Sequence, residues 1–204
     1  VGVFSMLYTV GAMEKHGLTV EQVDAVTGKA LARPNSATFR TADLVGLDVL
    51  AHVARTQYEG APDDERREVF ALPGWLAAMV EAGLLGQKAG AGFYKRVKEG
   101  GGKTTLAIDP ATREYRPKGK TEFPSLAEAK GIDDPGRRVA ALVAGKDPGA
   151  RLAWDVTAET LLYAARRIPD VAGDVPSIDR AMRWGFGWEL GPFEIWDALG
   201  VKAS

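Results

Sequence analysis

Apolar positions recur at helical spacing over most of this chain. In residues 1–16, Phe4, Leu7, Tyr8 and Val10 form one stripe, and Gly17 follows His16 as a helix stop. TVEQVDAVTG opens on Thr19 with Gln22 three residues later, a capping-box spacing, and ends at Gly28. Pro34 and Asn35 break the pattern, so KALARPNSA (29–37) is expected to be a loop. A short helix is expected over 38–45. After Gly46, Leu47, Leu50, Val53 and Ala54 share a helical face, and LPGWLAAMVEAG (72–83) predicts a further helix with Pro73 in its first turn and Gly83 at its end.

The texture changes over 86–117, where glycine alternates with short apolar and aromatic runs. GFYKRV, TTLAID and REYRP predict short strands, joined by a glycine loop and by the turn DPAT. Helical spacing returns at 134–145, in a longer helix from Pro148 to Arg167, in PSIDRAMRWG (176–185) and in GPFEIWDALG. The pattern is mainly α, with a β or irregular insertion over 99–133 between a first helical part (1–98) and a second (134–204).

Those two parts share a rhythm. Phe39, Asp43 and Gly46 match Phe193, Asp197 and Gly200, each set following a loop rich in glycine or proline. Asp24 precedes Phe39 by 15 positions and Asp179 precedes Phe193 by 14, so one gap aligns them. The period is too long, and the copies too few, for a solenoid. A duplicated helical unit is the expected account, with the chance likeness of amphipathic helices as its alternative. Asp43 and Asp197 read either as substrate contacts or as hydrogen-bond acceptors orienting the preceding loop, and recurrence in both copies favours the latter.

Composition narrows the chemistry. The chain has 204 residues, 46% hydrophobic and 26% charged, as in ordinary globular proteins. A net charge of −1 gives no field for nucleic acid or an anionic membrane. No cysteine is present, which removes disulfides and thiol chemistry, and no apolar run reaches membrane-span length. Val1 enters an apolar stretch without a cap, which reads as a helix cut at its start and the chain as an excised piece. GGKTT (101–105) fails as a phosphate loop because Val97 stands where the first glycine belongs, and GAGF (90–93) lacks the later glycine of a dinucleotide turn. His16, at a helix end, reads as a surface residue and His52 as a packed one, and neither has a partner at metal-ligand spacing. The run DDERRE (63–68) reads as a solvated helix start. Trp184, Trp188 and Trp196 read as core or interface packing.

Three motifs carry a resemblance. GFGWELGPFEIWDALG resembles the C-terminal motif of 3-hydroxyacyl-CoA dehydrogenases through Gly191, Pro192, Phe193, Glu194, Asp197 and Gly200. RPNSATFRTADLVGLDVLAHVA is similar to the variant found in the longer, fused members, and EAGLLGQKAGAGFYKR to the family's Gly-x-Lys-x-Gly-x-Gly-Phe-Tyr segment. The likeness implies a duplicated helical domain resembling the C-terminal domain of 6-phosphogluconate dehydrogenase. It implies a cytoplasmic parent enzyme of fatty-acid β-oxidation that oxidises 3-hydroxyacyl-CoA to 3-ketoacyl-CoA with NAD. By the family pattern the Rossmann NAD domain, the catalytic His and Glu, and an Asn-Arg pair lie upstream of Val1, so this chain is expected to hold no catalytic, NAD-binding or metal residue and to be inactive alone. An enoyl-CoA hydratase domain is expected downstream. The second copy would replace the partner subunit of single-copy dimers, and the first would meet the acyl-CoA through Pro34, Asn35, Ser36 and Phe39. The other reading of these four is a loop packed between helices. The alternative function is a helical interaction module that shares the fold and carries out no redox chemistry.

Overall fold

The computed structural model describes residues 1–99 and 102–200. Gly100 and Gly101 of the expected glycine loop lie outside the described residues, as do Val201 to Ser204 of the closing segment.

Helix α1 (Gly2–His16) ends where Gly17 turns left-handed at φ 61°. In α2 (Val20–Thr27) the Thr19 amide donates to Gln22 Oε1 at 3.0 Å, the expected reciprocal cap. A loop leads to α3 (Phe39–Val45), and Gly46 at φ 104° joins it to α4 (Leu47–Gly60). Helix α5 (Gly74–Glu81) is shorter than the 72–83 segment, because Pro73 stands outside as its N-cap. Strands β1 (Tyr94–Glu99), β2 (Gly102–Ile108) and β3 (Tyr115–Pro117) form one antiparallel sheet in that order, with Tyr94 opposite Ala107 and Leu106 opposite Pro117. Helices α6 (Pro124–Lys130), α7 (Pro135–Val143), α8 (Pro148–Arg166), α9 (Val175–Phe186) and α10 (Pro192–Leu199) follow. Asp134, Asp147 and Asp174 cap α7, α8 and α9 by accepting from the amides of Arg137, Ala150 and Ser177.

The core is built on α1 packed against α8. Their contacts run in opposite senses: Phe4 stacks on Tyr163 at 3.8 Å, the Thr160 hydroxyl lies 3.1 Å from that of Ser5, and Tyr8 donates to Asp155 at 2.9 Å. Buried Ser5, Thr9 and Ala12 on α1 and Ala153, Thr157 and Thr160 on α8 are small. Thr9 and Thr160 direct their hydroxyls to the carbonyls of Ser5 and Val156, so these helices bury polar residues without orphaning them. Phe186 of α9 lies over Gly2, where any β-carbon would strike its ring.

Several expectations change. The 99–133 segment contains α6, two turns too short to carry a period, whose Ser125 amide is capped from outside by Asp147 at 2.8 Å. The 63–68 run is no mere solvated helix start, for it docks on α8. Tyr163 donates to Asp64 at 2.7 Å, Arg167 pairs with Asp64 and Glu65, and Arg66 pairs with Glu159. His52 is exposed, because the buried line of α4 is Leu47, Leu50 and Ala54 and misses it, while Val53 is partly exposed as well. His16 is not a free surface group: its Nε2 lies 2.8 Å from Asp155, beside Lys15. Trp188 is buried and Trp196 packs on the core, but Trp184 is 78% exposed.

The Asp64 contact can be measured. Asp64→Ala should cost about 2 kcal/mol in urea unfolding, the scale of a charged hydrogen bond lost from a sheltered site. Tyr163→Phe should add little in that background. Fully additive losses would show that the two side chains do not meet.

Candidate functional site

Two buried carboxylates organise the region around the 28–38 loop. Helix α3 has no side-chain cap of its own, and its first amides face inward. Asp24, from α2, supplies the missing acceptor: Oδ1 takes the amides of Thr38 at 3.1 Å and Phe39 at 2.7 Å, and Oδ2 takes that of Arg40 at 3.2 Å. Tyr94 completes the set by donating its hydroxyl to Oδ2 at 2.7 Å. Asp43, on α3, accepts from the amides of Phe93 at 2.8 Å and Tyr94 at 2.9 Å. Tyr94 therefore bridges both acids, and Phe39 packs on Phe93 with ring centres 4.5 Å apart. A β-carbon on Gly92 would run into the Asp43 carboxylate, and one on Gly86 into its backbone. Burial pushes Asp24 up to about 6, with the Tyr94 hydroxyl and the amides pulling it back, and burial pushes Asp43 up to about 6 against its two amides.

The second half repeats one of these devices. Asp179, on α9, accepts from the Phe193 amide at 2.8 Å, as Asp24 does from Phe39. Gly191 fits against Asp179 where a side chain could not, and its amide donates to Glu194 Oε2 at 2.7 Å. The other matched pair diverges. Asp43 is buried on the glycine-rich segment that follows it rather than on the loop before it, whereas Asp197 is exposed.

The four sequence-derived loop residues do not share one surface. Asn35 is exposed, Pro34 and Ser36 are half-buried, and Phe39 is fully buried beneath the loop. Ser36 accepts from the Thr41 hydroxyl at 2.8 Å. Ala32 and Ala37, both at φ 53°, bracket the turn in a conformation that costs a non-glycine residue about 1 kcal/mol each. Asn35 reaches the edge of a cavity of about 1060 Å³ between α2 and the 118–133 segment. Sequence reading missed Arg33, whose buried guanidinium lies 4.5 Å over the Trp188 ring, and Arg138, which is buried on the Lys29 carbonyl at 2.9 Å and Glu189 at 2.7 Å. A basic residue before proline in an apolar loop was the only available signal for Arg33.

Among the described residues no group of three or more His, Cys, Asp or Glu side chains could hold a metal, and no helix is long and apolar enough to cross a membrane. The three described strands form an antiparallel sheet, without the strand–glycine turn–helix unit that seats a dinucleotide pyrophosphate in a Rossmann fold.

Comparison with known proteins places this geometry in a family context. Residues 3–96 match the family model of the 3-hydroxyacyl-CoA dehydrogenase C-terminal domain. The chain is 47% identical over its whole length to the "Probable 3-hydroxyacyl-CoA dehydrogenase" of Bacillus subtilis (strain 168), covering 25% of that protein. It is 37% identical over 89 residues to a 3-hydroxybutyryl-CoA dehydrogenase of Mycobacterium tuberculosis (strain CDC 1551 / Oshkosh), covering 44% of this chain and 29% of the relative. It is also 35% identical over 100 residues to a fatty acid oxidation complex subunit alpha of Acinetobacter baumannii (strain AYE), covering 49% of this chain and 13% of that subunit. The chain thus spans about a quarter of the length of the B. subtilis relative. No solved structure matches it.

The carboxylate clamp predicts a pH signature. Asp24 titrates near 6 when folded, above the ordinary 3.8, so between those values the folded chain holds the extra proton and stability falls as pH rises. Asp24→Asn should destabilise more than Asp179→Asn. Its cost in urea unfolding should shrink from pH 4 to pH 7 by an amount on the order of 2 kcal/mol. A cost that grows with pH would mean that the amide donors outweigh burial.

Proposed function

We propose, from the match of residues 3–96 to the family model of the 3-hydroxyacyl-CoA dehydrogenase C-terminal domain, that this chain is the substrate-facing and self-associating part of such an enzyme. The parent reaction is oxidation of a 3-hydroxyacyl-CoA to the 3-ketoacyl-CoA by NAD in fatty-acid β-oxidation, in the cytoplasm. NAD supplies hydride acceptance in a separate Rossmann domain that carries the catalytic acid–base residues. An enoyl-CoA hydratase domain is a further part of the same fused polypeptide.

The observation that carries this reading is the paired carboxylate clamp, Asp24 on the Phe39 amide at 2.7 Å and Asp179 on the Phe193 amide at 2.8 Å. The same acid capping the same kind of helix supports two copies of one helical unit, residues 1–98 and 134–204, with 99–133 inserted. Antiparallel packing of α1 on α8 supports a pseudo-dimer in which the second copy takes the place of a partner subunit. A duplicated fold like the C-terminal domain of 6-phosphogluconate dehydrogenase fits this arrangement. Asn35 and Ser36, at the tip of the strained loop, are the substrate-facing residues, with Pro34 shaping the turn and Phe39 supporting it from below.

What these residues do is positional. Asp24 accepts from three backbone amides and the Tyr94 hydroxyl, and Asp43 from two backbone amides. Their carboxylates fix the loop against α2, and the loop presents the Asn35 amide, able to donate and accept, to an acyl-CoA. Proton and hydride transfer belong to the other domain.

NADH-dependent reduction of acetoacetyl-CoA tests the reading. A polypeptide extended through the preceding domain should turn over, and this chain alone should be silent. Asn35→Ala in the extended protein should raise KM about threefold or more with a smaller change in kcat, as loss of one hydrogen bond to the bound substrate would give. NADH oxidation by the short chain would overturn the placement of the catalytic residues. Silence of both would favour an interaction module.

A further inference from the structure

The 28–38 loop is gripped from two sides. Asp24 holds its far end through the amides of Thr38, Phe39 and Arg40, all within the first half. Its opening turn is held by the second half. Arg138 Nε donates to the Lys29 carbonyl at 2.9 Å, and Arg138 Nη2 donates to Glu189 Oε2 at 2.7 Å. The Glu189 amide in turn donates to the Ala32 carbonyl at 2.8 Å. With the backbone between Lys29 and Ala32, these bonds close a ring that joins the two halves, and Arg138 is buried within it. Gly187, left-handed at φ 66° where α9 ends, faces the next residue but one: a β-carbon there would stand 3.4 Å from the Pro34 ring.

Arg33 sits inside this contact and is only 7% exposed. Among the described residues no carboxylate or carbonyl accepts from its guanidinium, and its Nε is enclosed without a partner. Burial lowers its pKa only to about 10, so it remains a cation at neutral pH. What meets it is the face of Trp188, 4.5 Å from the guanidinium carbon. A buried charge is costly, and an apolar side chain would serve better if the two halves needed only to adhere. The cation adds direction, because a planar guanidinium stacks on a ring face in a defined orientation. Arg33 also precedes Pro34. The residue before a proline is restricted and the proline φ is fixed, so holding Arg33 leaves little freedom at Pro34 and Asn35.

We propose that Arg33 and Trp188 are positioning residues of the substrate site: through their stacking, the second half sets where Pro34 and Asn35 meet the acyl-CoA. The inference rests on the reading of Asn35 as a substrate contact. The second half then does more than take the place of a partner subunit, for it supplies one of the two grips on the loop. The left-handed alanines stand at those grips. Ala32 carries the carbonyl that Glu189 holds, and Ala37 directly precedes the amides that Asp24 holds. Only residues 33–36 lie between them.

Asn35 is the only asparagine in the chain, so selective 15N-asparagine labelling isolates its amide for relaxation measurements. In the full chain its backbone order parameter should be about 0.85, and should fall below about 0.6 in Arg33→Met and in Trp188→Leu. Trp188→Phe, which keeps a ring face, should restore it. Asp64→Ala, which destabilises the fold but touches no loop residue, should leave it unchanged at temperatures where both proteins are folded. Arg33→Met carries the test if Trp188→Leu does not fold. In the extended enzyme both variants should raise KM for acetoacetyl-CoA about threefold or more, with a smaller change in kcat. Arg33→Met/Asn35→Ala should be no worse than Asn35→Ala alone, because Arg33 acts through Asn35. An Asn35 amide that stays ordered in both variants, or KM effects of Arg33 and Asn35 that multiply, would overturn the proposal. Turnover with wild-type KM in both variants would sink the positioning role and spare the dehydrogenase. No turnover of any acyl-CoA by the extended protein, with Asn35 still loosened in both variants, would sink the dehydrogenase and leave the Arg33–Trp188 brace standing.

Discussion

The Asp24 carboxylate is the constraint on which the first half of the molecule depends. A helix beginning inside a protein leaves amides that must find acceptors, and α3 begins beneath the 28–38 loop with no capping side chain of its own. Asp24 satisfies three of those amides from the neighbouring helix and takes the Tyr94 hydroxyl as well. Because the Tyr94 amide is held by Asp43, one chain of hydrogen bonds joins α2, α3 and β1. The loop, its two left-handed alanines and the cavity wall on α2 keep their relation to one another through that chain. Glycine at 86 and 92 follows from it: the segment must come close enough for its amides to reach Asp43, and only a residue without a side chain can do so.

The two halves part where the partners of these acids differ. Asp179 needs only to cap α10, and Gly191 and Glu194 share that task with it. Asp197 stands where Asp43 does but is exposed, while Asp43 is buried beneath a glycine-rich segment. A repeated residue therefore keeps its role only where its partner is repeated too. That is a physical reason to treat the Asp24–Phe39 and Asp179–Phe193 pairs, and not the acids four residues further on, as the signature of the proposed duplication.

Legibility in the sequence followed the range of the interactions. The helices around Thr19, Gly17 and Pro148, the three strands and the break at Pro34 rest on caps, turns and periodicity within a few residues, and each was readable. The Asp24–Phe39 spacing was visible as a pattern, although its meaning as a hydrogen bond was not. What escaped depends on distant partners. Asp64 meets Tyr163 across 99 positions and Arg138 meets the Lys29 carbonyl across 109, so neither charged residue announces its burial locally. Helix α6 needed Asp147, from another element, as its cap. The candidate site was half legible for the same reason: the loop could be located by its motif, but which of its residues face out depends on how Phe39 meets Phe93, 54 positions on.

Shifted acids often mark catalytic centres, but burial among hydrogen-bond donors shifts an acid just as well. Burial pushes Asp24 and Asp43 up to about 6, yet Asp24 accepts three amides and the Tyr94 hydroxyl and Asp43 accepts two amides, and these donors cannot be released without unseating α3 or β1. A base must have a lone pair within reach of the proton it removes. Raised pKa values arising from burial in such a hydrogen-bond network describe rigidity, and rigidity is what a loop carrying strained alanines at 32 and 37 requires. In the proposed enzyme, acids committed in this way would hold the loop in place while the chemistry is done elsewhere.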